Sequence, residues 1–345
     1  MKNTSPVRVA VIGCGGAARD YHIRRTLQGF PEVEIVVVSD PSVSSYETAA
    51  SIFEEFGKAP PPNETDLSKL LRDYGPHLDV AAIATPHALH LSQTTACLEA
   101  GLDVLLEKPM VLNSAQAREL IEVRDRTGKL VVIAFDGGLS PFIRIAADMV
   151  QSGQIGILRS VNAFVWQDWF KGQIGTWRQN PDISGGGFMF DTGAHMLNSV
   201  ADIVGEPFTE VIAWVDNLNT SVDIQATIMA RLASGAIVTM NGCGDTGVAG
   251  CESEIRLFGT EGILRTGIWG EFLEQMGPQE SEFHPVSVSR PQSTWGTFLA
   301  VRNRQMPNPC PPEIGLRMAL LWEAILESSA NNGRAVQLSL GSLNI

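Results

Sequence analysis

The sequence predicts an α/β protein in which a doubly wound parallel sheet is followed by a second α/β domain built on a large, open, mostly antiparallel sheet. Three observations predict it. Short β-branched and apolar runs alternate with helix-length segments through residues 1–140, the pattern of parallel strands joined by crossover helices. A glycine-rich turn stands between the first such strand and the first such helix. Beyond about Pro141 the runs lengthen and alternate in polarity, as strands with one solvated face do. At 345 residues the chain exceeds the usual size of one core, and the expected division is a domain at 1–140 and another at 141–345.

Val7 to Ile12 is the first strand, apolar and β-branched apart from Arg8 and Ala10, as in a strand buried on both faces. A helix from Ala17 to about Gln28 and a strand from Glu34 to Ser39, ending at Asp40-Pro41, complete one βαβ unit. Ser44 to Phe56 and Asp66 to Asp73 read as helices and Val80 to Ala84 as a strand. Leu89 to Ala100 is a helix stopped by Gly101, Val104 to Leu106 a strand, and Ser114 caps a helix running to Thr127-Gly128. Leu130 to Phe135 supplies one more strand, and Phe142 to Ser152 one more helix. The second domain then gives strands at Leu158 to Phe170, Phe208 to Val215, Ser221 to Leu232, Ala236 to Asn241, Ile255 to Gly259 and Gly262 to Thr266. A helix from Met189 to Val204 interrupts the series, and Pro312 to Asn331 is the last helix.

Composition narrows the function classes. With 44% hydrophobic and 18% charged residues the chain can bury a core without approaching a membrane protein. A formal net charge of -13, with no lysine- or arginine-rich cluster, argues against nucleic acid and anionic lipid as partners. No run of about 18 apolar residues is present, so no helix is expected to span a membrane. Cys14, Cys97, Cys243, Cys251 and Cys310 are odd in number and form no C-x-x-C pair, which suits reduced thiols and a cytoplasmic location.

Gly13-x-Gly15-x-x-Ala18 carries the first chemistry. Between a strand and a helix, Gly13, Gly15, Gly16, Ala17 and Ala18 permit a tight turn and the close approach of a pyrophosphate to the helix N-terminus, the Rossmann arrangement. Asp40 ends the second strand, 22 residues after Ala18, where an acid hydrogen-bonds a ribose 2′-hydroxyl and repels a 2′-phosphate. No Arg or Lys stands in Pro41 to Tyr46, so NAD is favoured over NADP.

Thr85-Pro86-His87-Ala88-Leu89-His90 and Glu107-Lys108-Pro109 each follow a strand of the predicted parallel sheet. Carboxyl ends of such strands border the ligand crevice, which makes Thr85, Pro86, His90, Glu107 and Lys108 cofactor-side candidates. In Gly185-Gly-Gly-Phe-Met-Phe-Asp-Thr-Gly-Ala-His195 a glycine turn runs into a helix start. Asp191 and His195 are four apart and share a helical face, pairing a carboxylate with a group that moves protons near neutral pH. Further ligands at metal spacing are missing, so no metal is expected. Trp166, Trp169, Trp177 and Arg178 offer aromatic faces and a guanidinium suited to a hydroxyl-rich ring or a carboxylate, with core or subunit interface as the alternative. Trp169 and Arg178 are the substrate-side candidates. His22 and His284 belong to no constellation and read as structural or exposed.

Taken together, GCGGAA, Asp40, TPHALH, EKP and GGGFMFDTGAH resemble the glucose-fructose oxidoreductase, inositol dehydrogenase and MocA family, in order and at suitable separations. The resemblance runs on through Arg256-Leu-Phe-Gly-Thr-Glu-Gly262 to Gly333-Arg-Ala-Val336. It implies a Rossmann domain, an α/β domain with an open sheet, and action on a sugar, cyclitol or related polyol. It also implies that Lys108, Asp191 and His195 line the reaction site, with His195 as acid/base, Lys108 polarising the substrate oxygen, and Asp191 holding His195 or a substrate hydroxyl. A homodimer or homotetramer through the second sheet is expected from the resemblance and from the exposed face of such a sheet. Two departures stand out: His87 where the family often has Asn, and Phe135-Asp-Gly-Gly-Leu-Ser-Pro141 where it often has a polar, arginine-bearing segment. Two other readings of the same fold are a redox-neutral, NAD-dependent glycoside-cleaving enzyme and a non-catalytic dinucleotide-binding regulator.

Overall fold

The structure, a computed structural model, describes residues 5–288 and 293–338. Its contacts divide the chain into two compact units, the first built from Met1–Val111, Ala115–Ala134 and Thr294–Pro312, the second from Leu112–Ser114, Phe135–Ser293 and Glu313–Ile345.

The first unit is organised on a parallel sheet of β1 (Val7–Ile12), β2 (Val33–Ser39), β3 (Val80–Ile83), β4 (Asp103–Glu107) and β5 (Val131–Ala134), in the order β2-β1-β3-β4-β5. The order reverses at β1, so the turns after β1 and β3 flank the switch point where such sheets take ligands. Val9, Ala10, Val11 and all of β3 are buried, as strands covered on both faces require. Helices Val43–Glu55 and Leu67–Asp73 begin where Ser42 and Asp66 accept backbone N–H groups, which starts each one residue from its expected position. The helix after β1 also departs from expectation: Ala18–Arg24 is wound as a π-helix before continuing as Arg25–Gly29. Thr294–Arg302, not predicted from the sequence, is a helix of this unit, and the chain beyond it lies along β5, where Ile133 N–H donates to the Cys310 carbonyl.

The second unit carries the larger sheet: β6 (Leu158–Gln167), β7 (Phe208–Asp216), β8 (Gln225–Leu232), β9 (Ile237–Cys243), β10 (Cys251–Gly259), β11 (Ile263–Thr266), β12 (Leu273–Met276), β13 (His284–Pro285) and β14 (Val336–Gln337). Among the described residues its order is β13-β12-β11-β10-β6-β9-β8-β7-β14, antiparallel except between β6 and β9. β6 stops at Gln167 rather than Phe170, because Trp169 and Phe170 N–H both turn to the Gly244 carbonyl and a helical turn, Trp169–Gln173, takes over. One face is closed by helix Gly193–Val204, whose residues are all buried apart from Asp202. The other face is open. Phe164, Trp214, Met229 and Ile237 are 37–53% exposed on it, and Phe164, Asn241, Thr227 and Trp214 line up across four strands.

Candidate active site

The candidate residues fall into two sets, one in each unit. In the first, Gly13 has φ +97°, and a Cβ there would collide with the Ala84 carbonyl oxygen at the end of β3. Only glycine satisfies both conditions. Gly15 and Gly16 meet nothing where a Cβ would be, and Ala17 caps the following helix with no side-chain acceptor. The turn thus leaves backbone N–H groups and open space at a helix N-terminus, which fits a diphosphate.

Asp40 is fastened to that turn. Its Oδ2 accepts the Cys14 N–H at 2.7 Å and its Oδ1 the Ser42 N–H at 2.8 Å. Asn63 completes the seat, donating to the Asp40 carbonyl and accepting its N–H, a reciprocal pair that sequence spacing does not reveal. Burial first, and then the Asp40 carboxylate, push the Cys14 thiol up to about 12 against the pull of Arg19, so this cysteine is a protonated packing residue.

Thr85 donates its hydroxyl to Gln93 at 2.6 Å, and Pro86 opens the turn His87–Leu89. His90 is completely buried, with Nε2 and Nδ1 each 2.9 Å from a carbonyl, those of Thr85 and Pro109. It shapes the two loops rather than facing a ligand. Burial pushes its imidazole below the usual histidine range, opposed by the two carbonyls. Glu107 ends β4, and Lys108, half-buried, follows it, joined to Pro109 by a cis peptide bond. His22, read from sequence as without a constellation, is buried and bonded to Glu107 at 3.0 Å. The missing signal is its separation of 85 residues from that partner.

In the second unit, Phe188–Asp191 and Gly193–Val204 form two helical pieces joined at Thr192. Asp191 is 9% exposed, and its Oδ2 accepts both the Trp169 indole N–H at 2.9 Å and the Arg178 Nε–H at 3.0 Å. Arg178 also lies over the Trp177 ring, 4.4 Å from its centroid. His195, 6% exposed, stands edge-on to Phe135 at 5.9 Å and tilted against Trp269 at 5.7 Å. The structure therefore joins Trp169, Arg178 and Asp191, and walls His195 with two aromatic rings.

Trp269 and Asp223 were not anticipated. The Trp269 loop is pinned by Ser199 Oγ–H to the Ile268 carbonyl and Ser140 Oγ–H to the Gly270 carbonyl. Gly137 lies where any Cβ would strike Ser199 and Ile268, so the Asp136–Leu139 segment, a helical turn, is a seat for that loop. Asp223 accepts the Gly187 and Met189 N–H groups on its two oxygens, at 2.5 and 2.6 Å, and anchors the start of Phe188–Asp191. Burial raises its pKa to about 6, against those two bonds and with Asp191 adding to the rise. Its only sequence signal is an acid between Val222 and Ile224. Among the described residues no cluster of His, Cys, Asp and Glu is arranged to hold a metal, and no helix is long and apolar enough to cross a membrane.

Comparison with known proteins adds a lineage to this geometry. Residues 7–135 match the model of an oxidoreductase family with an NAD-binding Rossmann fold, and residues 143–265 match the Gfo/Idh/MocA C-terminal domain. The chain is 28% identical to the D-glucoside 3-dehydrogenase of Escherichia coli (strain K12) over 208 residues, 59% of this chain and 56% of that protein. It is 26% identical to the levoglucosan dehydrogenase of Pseudarthrobacter phenanthrenivorans over 246 residues, 63% of this chain and 62% of that one. The alignments thus span less than two thirds of either relative. In fold the chain is similar to a levoglucosan dehydrogenase solved with NADH and levoglucosan, with TM-score 0.83 and 21% identity over 97% of this chain and 100% of the other. The aldose-aldose oxidoreductase of Caulobacter crescentus gives TM-score 0.81 at 19% identity, covering 96% of this chain and 100% of that one.

Proposed function

The chain belongs to the Gfo/Idh/MocA family of oxidoreductases with an NAD-binding Rossmann fold, and from that premise we propose that it oxidises a secondary alcohol of a sugar, cyclitol or related polyol, or reduces the matching ketone. The observation that carries this reading is the Asp191 carboxylate, bonded on one oxygen by Trp169 and Arg178 and lying one helical turn before His195. A buried carboxylate next to a proton-transfer residue, rimmed by indoles and a guanidinium, suits a hydroxyl-rich ring.

Bound NAD supplies the hydride acceptor or donor. The chain does the rest. Gly13, Gly15, Gly16, Ala17 and Ala18 seat the diphosphate, Asp40 the adenosine ribose, and Thr85, Pro86 and Glu107 border the cofactor at the ends of β3 and β4. His195 takes the hydroxyl proton in oxidation and returns it in reduction. The family resemblance gives Lys108 the part of polarising the substrate oxygen, and Asp191 holds a substrate hydroxyl, with Arg178 and Trp169 fixing its direction. The aromatic walls of His195, Phe135 and Trp269, keep water from the proton path. All five cysteines are free, which suits a cytoplasmic enzyme.

Absorbance at the NADH band, screened across inositols, monosaccharides, disaccharides and sugar acids, tests the reaction, with product analysis for redox-neutral cleavage. Lys108→Met and His195→Ala should each abolish turnover while NAD affinity is retained. Normal turnover in both variants would sink the assignment.

A second copy of the chain is the proposed partner of the open sheet face, where Phe164, Trp166 and Trp214 border a hollow of about 640 Å³. Light scattering on the purified protein should give a dimer or tetramer, and Trp214→Arg should shift it toward monomer.

A further inference from the structure

Lys108 lies between two residues that buried histidines hold. His90 fixes the C-terminal flank through the Pro109 carbonyl, and a hydrogen on either ring nitrogen finds a carbonyl there. The N-terminal flank is Glu107, whose Oε1 is 3.0 Å from His22 Nε2. A carboxylate accepts, so the ring hydrogen lies on Nε2. His22 Nδ1 is buried and has no partner among the described residues, and the Trp295 indole meets the ring edge-on with centroids 6.1 Å apart. The imidazole has no exposed surface, so it touches no substrate, and its polar engagement is directed at Glu107.

We propose that His22 is a positioning residue for Lys108, acting through the Glu107 carboxylate and coupling the helix of the dinucleotide turn to the turn that bears the lysine. Its place in the sequence suits the role: His22 is one helical turn beyond Ala18, at the end of the glycine-rich segment. A lysine amine on a flexible stem needs its backbone fixed if it is to meet one oxygen repeatedly. His90 and His22 together supply that fixity from both sides. The inference rests on the assignment of Lys108 to the reaction site only for its consequence in turnover.

The test compares the full chain with His22→Gln and His22→Asn. Glutamine brings an amide nitrogen to the place of Nε2, whereas asparagine ends one carbon short. Two quantities are read, neither of which requires a substrate: the Kd of NAD by tryptophan fluorescence, and the rate at which limiting acetic anhydride acetylates Lys108, by peptide mass spectrometry. His22→Asn should weaken NAD about tenfold and change Lys108 acetylation by a similar factor, the worth of one hydrogen bond to a charged group. His22→Gln should stay within about twofold of the native chain in both. In a Glu107→Ala background, His22→Asn should add less than about twofold. Equal behaviour of the Gln and Asn variants, native values for His22→Asn, or a full effect in the Glu107→Ala background would each overturn the proposal. Retained turnover in Lys108→Met would instead count against the catalytic reading and leave these outcomes legible.

Discussion

The indole N–H of Trp169 and the Nε–H of Arg178 converge on one oxygen of Asp191, at 2.9 and 3.0 Å, so the carboxylate is held by a neutral donor and a charged one at once. The indole is 3% exposed, and replacing it by phenylalanine takes a hydrogen bond from a mostly buried charge. Trp169→Phe should lower kcat/KM about tenfold or more and reduce the melting temperature, both read on the same preparation.

Arg178→Lys keeps the charge but loses the planar fork and the stacking on Trp177. The arginine side chain is 31% exposed, so its worth lies more in orientation than in stability. A kcat/KM loss of about tenfold with little change in melting temperature is expected. A change in melting temperature without a kinetic loss would contradict the role.

Gly13→Ala tests the cofactor turn. At φ +97° the substitution costs about 1–2 kcal/mol in backbone strain alone, and the collision with the Ala84 carbonyl adds to it. NAD binding should be lost in a titration that the native chain completes, and β1 and β3 should separate more readily on heating.

Asp40 makes the cofactor preference measurable. Its carboxylate is fixed by Cys14 and Ser42, and at the proposed ribose site it would oppose a 2′-phosphate from a set position. Asp40→Ser should weaken NAD and raise the affinity for NADP relative to NAD by about tenfold. Unchanged preference would remove Asp40 from the ribose site.

Asp223 gives a pH dependence with a definite sign. Its folded pKa of about 6 stands above the ordinary 3.8, so the folded chain binds this proton more tightly than the unfolded one. The resulting stability is complete below about pH 4 and is lost as pH rises through about 6, by about 3 kcal/mol. Denaturant unfolding of the native chain and of Asp223→Asn across that window should differ by this slope. Parallel curves would show that burial does not govern Asp223.

The nucleotide-binding half was the more legible in sequence, because its signals are local. Val7 to Ile12, the glycine turn and Glu34 to Ser39 lie within one short stretch, and β1 and β2 form there. Runs with alternating burial, such as β8, were also found, but β12 to β14 were not: β13 and β14 have two residues each, and β12 buries only Leu273, so none carries an apolar pattern. The catalytic candidates could be named from motifs, whereas their supports could not. Asn63 behind Asp40, His22 behind Glu107, Asp223 beneath Gly187 and Met189, and Trp269 against His195 are each set by contacts between distant residues. The Gly137-Gly138 departure acquires a physical reason only once Ser199 and Ile268 are seen to fill the space beside Gly137.

The late segment of the nucleotide-binding unit makes that unit a poor cassette. β5 is the edge of its sheet, and the edge is sealed by chain from far downstream: Ile133 N–H meets the Cys310 carbonyl and Asn308 reaches the Val131 carbonyl, while Arg302 pairs with Asp103 at the start of β4 at 3.0 Å. A graft of residues 7–135 alone would carry an unsealed strand edge into its new host and invite aggregation. During synthesis, too, the unit stays unfinished until the ribosome has passed Pro312, although β1 to β5 are translated well before it.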